Sequence, residues 1–432
     1  MEIRMMVQIC MLLAAGVPGM LPGAMPATQP IQIRHVGQWD RFEATIENSR
    51  GYADPYRDVT LEVVYTRPDG GKIRFWGFYD GGSQWKIRFM PDRLGLWRYA
   101  AGFSDGAPGI RGGFECTPST IPGLISNDET NPRWFGFRGG RHVLIRSFHA
   151  VPLFSDTLDE FSRRDFLDWA ARQGYNTLSS GSHFSGKGAP RLWPLDAPSF
   201  RRIEAVLDEL SNRRMMIFGF AGFFGGMAPM FPADEELYIK YCMARFGPYW
   251  NEIFNVGGPE LDKTLPQETI NRLGALIHKY DVFGHLLGVH QLGNRDDAFR
   301  DAAWSSTVTL QIKVPDVMEL NQWLIRNQPG SKPVYGQEDC WQGNTIQFAK
   351  RGGCHPDRFR QQMWTHLLSA SAINVGDMNG NNATGFSGSL KLSDRIQSRH
   401  DVPKMIWDYF QSTPYYRMSP HPELVDRGIC LA

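Results

Sequence analysis

The sequence has almost no excess of charge of either sign. Its 46 lysines and arginines are balanced by 45 aspartates and glutamates, which leaves a formal net charge of +1 over 432 residues. A chain that binds nucleic acid or adheres to an anionic membrane usually concentrates positive charge. The composition therefore gives no electrostatic support for either partner.

Motifs for the common cofactors are also missing. No GxGxxG or GxxxxGK[ST] run follows a strand-like segment, which argues against the usual nucleotide-binding loops. No HExxH or CxxC pattern occurs and the 11 histidines are scattered, so a metal site has no support. The absence of GxSxG argues against an esterase. We therefore expect neither a cofactor nor a metal.

Cysteine is scarce. Of the six cysteines, Cys10 falls in an N-terminal segment that we expect to be removed. The five that remain are an odd number and do not form a disulfide framework. Cys340 and Cys354 lie close enough in sequence to close one loop if they paired, and two free thiols are an equally open interpretation.

Long hydrophobic runs are limited to the N-terminus. After Glu2 and Arg4, an apolar run from Met5 to Val17 leads into a stretch of small residues and prolines. The run is shorter than the ~20 residues that a spanning helix needs. This pattern predicts a secretory signal peptide at residues 1–27, with a retained anchor as the alternative. We expect the mature chain to be secreted or periplasmic and free of the membrane.

The segment that follows the predicted signal peptide is rich in strand-like patterns. Short alternating runs such as DVTLEVVYT recur up to Thr117, separated by turns such as RPDGG and YDGG. Strands spaced ~8–12 residues apart with such turns are typical of a β-sandwich. We predict an immunoglobulin-like sandwich at residues 28–120 and a linker at residues 121–135.

Beyond the linker, strand-like and helix-like segments alternate. Eight apolar strand candidates, most of them followed by a helical segment, lie near Leu144, Thr177, Ile217, Phe254, Val289, Val308, Val334 and Asn374. Alternation of this kind predicts parallel strands with helices outside. Eight repeats suit a (β/α)8 barrel better than an open sheet, so we predict a TIM barrel at residues 136–432.

Two of these strands end in carboxylates. The run KPVYGQEDC carries Glu338 and Asp339, and FNVGGPELD carries Glu260. Side chains at the C-terminal ends of barrel strands point into the mouth, where barrel enzymes carry out their chemistry. Two carboxylates are the minimum equipment for glycoside hydrolysis. Solvated acids in surface loops are the alternative interpretation.

Two motifs carry a family resemblance. The stretch FWGFYDGGSQWKIRFMPDRLGLWRY in the sandwich and KPVYGQEDCWQGN at the seventh barrel strand are similar to patterns of extracellular clan A-type glycoside hydrolases. That group, related to apiosidases, carries an immunoglobulin-like domain in front of its barrel. The resemblance covers nearly the whole mature chain and implies the same fold and a carbohydrate substrate.

The resemblance also implies catalytic roles. Glu338 falls on the nucleophile position of the family. The acid/base of the clan usually follows an Asn directly at the fourth strand, whereas here Asn255 is separated from Glu260 by four residues. Despite this difference, Glu260 is the acid at the end of the fourth strand to which the resemblance assigns the acid/base, with Asp262 and Glu252 as competitors.

Other polar and aromatic residues follow the predicted strands and are candidates for substrate binding. Each is also compatible with a purely structural role. They are Asn255, His149, His183, Phe223, His290, Trp304, Trp341 and Asp377.

Together these patterns predict a secreted, retaining glycoside hydrolase with two catalytic glutamates. Its expected substrate is a plant or algal polysaccharide or oligosaccharide. A non-catalytic carbohydrate-binding protein on the same scaffold is the alternative. The sequence leaves open the sugar, the linkage, endo or exo action and the oligomeric state.

Overall fold

A computed structural model describes residues 34–181, 192–225, 231–314, 316–342, 356–377, 390, 398–424 and 428–430. The predicted signal peptide, His183 and Cys354 lie outside these residues, as do the side chains of Cys340, Trp341 and Asp377. Cys116, Cys242 and Cys430 are free thiols.

The N-terminal part is a two-layer arrangement of short strands. Their bounds are β1 Arg34–Gly37, β2 Phe42–Glu47, β3 Leu61–Thr66, β4 Lys72–Trp76, β5 Phe78–Gly81, β6 Gln84–Phe89, β7 Gly95–Phe103 and β8 Ile110–Thr117. One sheet has the order β1-β8-β7-β3-β4 and the other β2-β6-β5. The predicted sandwich is confirmed.

Alternation of apolar and polar residues determines which faces of these strands are buried. In β3, Leu61, Val63 and Tyr65 are buried while the residues between them are partly or fully exposed. Successive side chains of a strand point to opposite faces, so the three buried ones line the same core. The Tyr65 ring stacks on Phe89 of the facing sheet at a centroid distance of 4.3 Å.

A small third sheet lies between the sandwich and the barrel strands in sequence. It comprises β9 Ile125–Asn127, β10 Phe135–Phe137 and β11 Arg141–His142, so the predicted linker itself contains β9. The amide of Ile125 donates to the carbonyl of Trp250, which lies two residues before the barrel strand that begins at Glu252. Phe135 places its ring 6.4 Å from that of Tyr335 inside the barrel. This sheet therefore covers the N-terminal end of the barrel.

The barrel consists of eight parallel strands. They are β12 Ser147–His149, β13 Thr177–Ser180, β14 Met216–Gly219, β15 Glu252–Asn255, β16 Leu287–Gly288, β17 Val308–Leu310, β18 Val334–Gln342 and β19 Ser371–Asp377. Every strand predicted from the sequence has its counterpart here, and the predicted barrel fold is confirmed.

The strand order is β16-β15-β14-β13-β12-β19-β18-β17, which leaves β16 and β17 at the two ends of one sheet. Bonds outside the regular ladder bring these ends together. Leu287 of β16 accepts from the amide of Ser306 at 2.9 Å and donates to its hydroxyl at 2.7 Å. The ring of strands is therefore nearly closed.

Helices surround the ring. Their bounds are α1 Glu160–Arg172, α2 Ala197–Asn212, α3 Pro232–Phe246, α4 Gln267–Tyr280, α5 Val317–Arg326, α6 Pro356–Leu368 and α7 Ser398–Gln411. Asp159, Asp196 and Asp316 cap α1, α2 and α5 by accepting first-turn amides, the usual reason for aspartate at this position. Single 3-10 turns occupy Val151–Phe154, Leu261–Lys263, Tyr415–Arg417 and Pro422–Leu424.

Within the described residues, no helix combines the length and the apolar character needed to cross a membrane.

A buried charge cluster joins the sandwich to the barrel helices. Glu204 of α2 lies between Arg88 of β6 and Arg245 of α3, each at 2.6 Å from Oε1 of the carboxylate. All three side chains are less than a tenth exposed. Burial opposes ionisation of Glu204, but the two guanidinium groups outweigh it and lower the pKa of the carboxyl to about 2.

We predict that Glu204→Ala lowers the free energy of unfolding by about 3 kcal/mol, because it removes the buried carboxylate that Arg88 and Arg245 share and leaves each arginine with one acidic partner, Glu43 or Asp80. Chemical denaturation followed by both fluorescence and circular dichroism measures this loss. Because the pKa of Glu204 is below its ordinary value of 4.5, the stabilisation is complete above that pH and is lost as the pH falls towards 2.

Glu160→Ala is the matched control. Glu160 pairs with Arg164 at 2.5 Å on α1, but both side chains are more than half exposed. Its removal is expected to cost less than about 1 kcal/mol. Equal losses in the two variants would show that the buried cluster does not anchor the sandwich.

Candidate active site

The strand that carries Glu338 is irregular where the site lies. Gly336 of β18 is opposite Ile373 and Cys340 is opposite Val375, so residues 337–339 share a single partner, Asn374. Bulges of this kind re-aim side chains and are frequent beside active sites. The two consecutive carboxylates of this segment face apart: Glu338 turns towards the strand ends of β16 and β17, while Asp339 turns towards α6.

Glu338 lies among polar and charged groups at the C-terminal ends of three strands. Its Oε2 accepts a hydrogen bond from Nε2 of Gln311 at 2.5 Å and lies 3.8 Å from Nε2 of His290. Nζ of Lys313 lies 3.8 Å from its other oxygen. The side chain is 13 % exposed. An amide donor and a cation both favour the negatively charged form of a carboxylate.

Two histidines and a phenylalanine lie at neighbouring strand ends beside Glu338. His149 ends β12, Phe220 follows β14, and His290 follows β16. The Phe220 ring lies 6.0 Å from the imidazole of His149 and 5.6 Å from that of His290. Burial lowers the pKa of both histidines to about 3, with Lys313 adding to the effect on His290. Both imidazoles are therefore neutral near pH 7.

Two buried polar side chains near these strand ends have atoms without partners among the described residues. The amide of Gln337 is 1 % exposed, and neither its oxygen nor its nitrogen has a hydrogen-bond partner among the described residues. Asn255 donates to the carbonyl of Phe220, but its own oxygen is unpaired within the same residues. Such groups are rare in folded proteins and indicate binding to water or to a polar ligand.

Glu260 lies on the loop after β15, next to His290. The amide of Leu261 donates to the carbonyl of His290 at 3.0 Å. At Gly258 an added Cβ would approach the Cβ of His290 to 2.6 Å, so glycine is required for this close approach. Glu260 itself has φ +47°, an uncommon conformation for a non-glycine residue, and its carboxylate lies 3.5 Å from Nζ of Lys263. Its side chain is a quarter exposed.

The two competing acids have different surroundings. Glu252 is the first residue of β15 and is fully buried, so it lies at the strand end opposite the mouth. Asp262 accepts from the amide of Leu292 at 2.7 Å and lies 3.3 Å from Arg295, which ties two loops together.

The aromatic candidates Phe223 and Trp304 lie in the packing around the barrel. Phe223 is fully buried, with its ring 5.1 Å from that of Phe254. Trp304 is 5 % exposed and lies on Gly274 of α4, where its Nε1 donates to Asn271. Neither ring presents an exposed face for stacking on a sugar.

Sequence reasoning missed Gln311, Lys313, Phe220 and Gln337. A signal for the first two was present, since the apolar run STVTLQI is followed at once by Lys313 and its last polar residue is Gln311. The rule that places Glu338 in the mouth applies equally to this strand end. For Gln337, no sequence pattern distinguishes an inward from an outward side chain inside a bulge.

We predict that His149 and His290 stay neutral from pH 8 down to pH 5, because burial disfavours their charged forms. Their imidazole ¹⁵N chemical shifts should be constant over this range. The variants His149→Gln and His290→Gln assign the two signals, and free histidine in the same buffer provides the titrating control. A transition between pH 5 and pH 8 in either signal would contradict this assignment.

Comparison with known protein families gave two matches along the chain. Residues 35–104 match a family described as "Domain of unknown function (DUF5060)". Residues 195–383 match the family described as "Apiosidase-like, catalytic domain". The second match contains Glu260 and Glu338 and covers most of the barrel. The comparison with curated proteins gave no match.

Solved structures with the same fold include two from Bacteroides vulgatus ATCC 8482. One, described as a candidate glycoside hydrolase, is 20 % identical with a TM-score of 0.73 and covers 88 % of this chain and 79 % of its own. The other, described as a glycoside hydrolase family 5 protein, is 14 % identical with a TM-score of 0.58 and covers 73 % of this chain and 80 % of its own. At such identities the likeness shows the fold. Together with the apiosidase-like match, it confirms the resemblance of this chain to glycoside hydrolases with a barrel and an N-terminal β-domain.

Proposed function

We propose that this chain is a retaining glycoside hydrolase in which Glu338 is the nucleophile and Glu260 the acid/base. The observation that carries the proposal is the placement of Glu338 in the β18 bulge, bonded to Gln311 and facing Lys313 and His290 at the C-terminal strand ends. The apiosidase-like match over residues 195–383 supports a glycosidic substrate.

The surroundings of Glu338 suit attack on an anomeric carbon. Gln311 holds one carboxylate oxygen, and the other oxygen lies 3.8 Å from Nζ of Lys313, beyond hydrogen-bond distance. The neighbouring histidines are neutral, so they provide hydrogen-bonding groups without forming a strong ion pair with the nucleophile. Neutral groups of this kind, together with the unpaired amide of Gln337, match the hydroxyl groups of a sugar.

Glu260 is favoured as the acid/base by its position. It follows β15 and adjoins His290, whose imidazole in turn lies beside Glu338. Around the ring, β15 and β18 are separated by two strands on one side and four on the other. A retaining mechanism needs the two carboxylates ~5–5.5 Å apart. Glu252 lies at the wrong strand end for this role, and the carboxylate of Asp262 is engaged by Leu292 and Arg295.

In this mechanism, Glu338 attacks the anomeric carbon while Glu260 gives its proton to the leaving oxygen. Glu260 then takes a proton from the water that hydrolyses the glycosyl-enzyme, and the anomeric configuration is retained. The N-terminal pattern supports export, and we propose that the enzyme acts outside the cytoplasm on a plant or algal polysaccharide or oligosaccharide.

We predict that Glu338→Gln reduces turnover to below about 1 % of wild type with little loss of stability, because the amide is nearly isosteric but does not attack carbon. Purified protein is first screened on aryl glycosides and on plant and algal polysaccharides to find a substrate. Glu268→Gln, an exposed glutamate of α4, is the control and should retain full activity. Substantial activity of pure Glu338→Gln would remove Glu338 from the nucleophile position.

We predict that Glu260→Ala impairs hydrolysis of substrates with poor leaving groups far more than that of activated aryl glycosides, which need little protonation. Added azide should restore turnover and give a glycosyl azide of the same anomeric configuration as the substrate. Asp262→Ala is the comparison variant, with uniform loss and no azide rescue expected. Rescue of Asp262→Ala in place of Glu260→Ala would transfer the role to Asp262, and an inverted wild-type product would overturn the retaining scheme.

A further inference from the structure

Asp339 is a second carboxyl group in the bulge, and it faces away from the mouth. It is 5 % exposed, and its Oδ1 accepts a hydrogen bond from the backbone amide of Ile312. Its Oδ2 lies 3.3 Å from Nε2 of His366 on α6. Apart from this contact with each other, Oδ2 of Asp339 and Nε2 of His366 have no hydrogen-bond partner among the described residues. The backbone of Gly336 makes room for the pair, since an added Cβ there would lie 2.6 Å from Cε1 of His366 and closer still to Asp339.

The bond from Ile312 has a direct geometrical consequence for the site. Ile312 is the residue after Gln311, and Gln311 holds Glu338. Asp339 is likewise the residue after Glu338. Two consecutive residues of β18 therefore contact two consecutive residues at the end of β17, one contact on each side of the strand. The bond from Gln311 fixes the carboxylate of Glu338. The bond from the amide of Ile312 to Asp339 fixes the backbone that carries Gln311.

We propose that Asp339 and His366 act as a positioning pair that holds Gln311 against Glu338, with Asp339 as a carboxylic acid and His366 as a neutral imidazole. In this arrangement Asp339 accepts from Ile312 through one oxygen and presents a hydroxyl proton to Nε2 of His366 through the other. His366 then carries its own proton on Nδ1, which lies 3.2 Å from the hydroxyl of Ser371. The kinetic part of this inference rests on the proposed function.

The electrostatics agree with the neutral forms. Burial raises the pKa of Asp339 well above its ordinary value, and the negative charge of Glu338 acts in the same direction. The amide of Ile312 and the cation of Lys313 oppose this shift but do not reverse it. Burial also lowers the pKa of His366 to about 3. An ion pair buried at this position would incur the desolvation of both charges.

The decisive comparison is between Asp339→Asn and Asp339→Ala. Asparagine keeps an oxygen for the amide of Ile312 and offers an N–H to His366, so it imitates the carboxylic acid. We expect Asp339→Asn to retain kcat within about fivefold. Asp339→Ala removes both contacts and should lower kcat by about 100-fold with little change in KM, the size of effect that a misplacement of about 1 Å produces. Equal losses in the two variants, or full activity of Asp339→Ala, would overturn the proposal.

A matched control separates positioning from simple loss of stability. Asp297 is equally buried and also accepts backbone amides, from Phe299 and from Thr309 of β17, but no hydrogen bond or ion pair joins it to Gln311 or Glu338 among the described residues. Asp297→Ala should lose stability and keep its kcat per folded molecule. The double variant Asp339→Ala with His366→Ala should be no slower than the worse single variant, because paired residues are not additive. Additive losses would contradict a shared role.

Crystal structures test the pair without reference to activity. In Asp339→Ala the distance between Nε2 of Gln311 and Oε2 of Glu338 should exceed 3.5 Å, whereas in Asp339→Asn it should remain near the 2.5 Å of the wild-type chain. An unchanged distance in Asp339→Ala refutes the positioning role. If the wild-type protein cleaves no glycoside while the distance behaves as expected, the proposed function fails and the positioning pair stands.

Discussion

The near-closure of eight parallel strands into one ring is the constraint on which the rest of this molecule depends. In a parallel ring all C-terminal ends lie on one rim, so residues far apart in sequence become neighbours. His149, His290, Gln311 and Glu338 meet for this reason. At the opposite end the small sheet β9–β11 covers the ring, which leaves the rim with the carboxylates as the accessible one.

The bulge in β18 is a local irregularity of this rim, and it contains both Glu338 and Asp339. In a regular strand, successive side chains alternate between the two faces, and two residues of the same face are separated by a third. Glu338 and Asp339 accordingly have separate surroundings, and in the bulge opposite Asn374 both are anchored to the end of β17. Partly exposed Glu338 lies beside a cation, whereas Asp339 is buried against a neutral imidazole.

The buried carboxyl group of Glu204, next to the sandwich, has a pKa shift opposite to that of Asp339. Glu204 is as deeply buried as Asp339, yet its pKa falls to about 2 because Arg88 and Arg245 surround it. Burial raises the pKa of Asp339, and its near partner is a histidine whose own protonation is disfavoured by burial. Burial is common to both carboxyl groups, so the difference lies in the charge of the neighbours. One carboxyl group is thereby suited to anchoring two domains and the other to neutral hydrogen bonding.

The sequence by itself determined the two-part architecture, the eight barrel strands and the strand end that carries Glu338, because these follow from periodicity and chain order. Tertiary structure decided which strand-end side chains meet. Phe223 and Trp304 follow strands as His290 does, yet they pack around the barrel, since the path of each loop sets the direction of a ring. The hydrogen bond from Gln311 to Glu338 and the contrast between Glu338 and Asp339 likewise depend on contacts across strands, which no local pattern records.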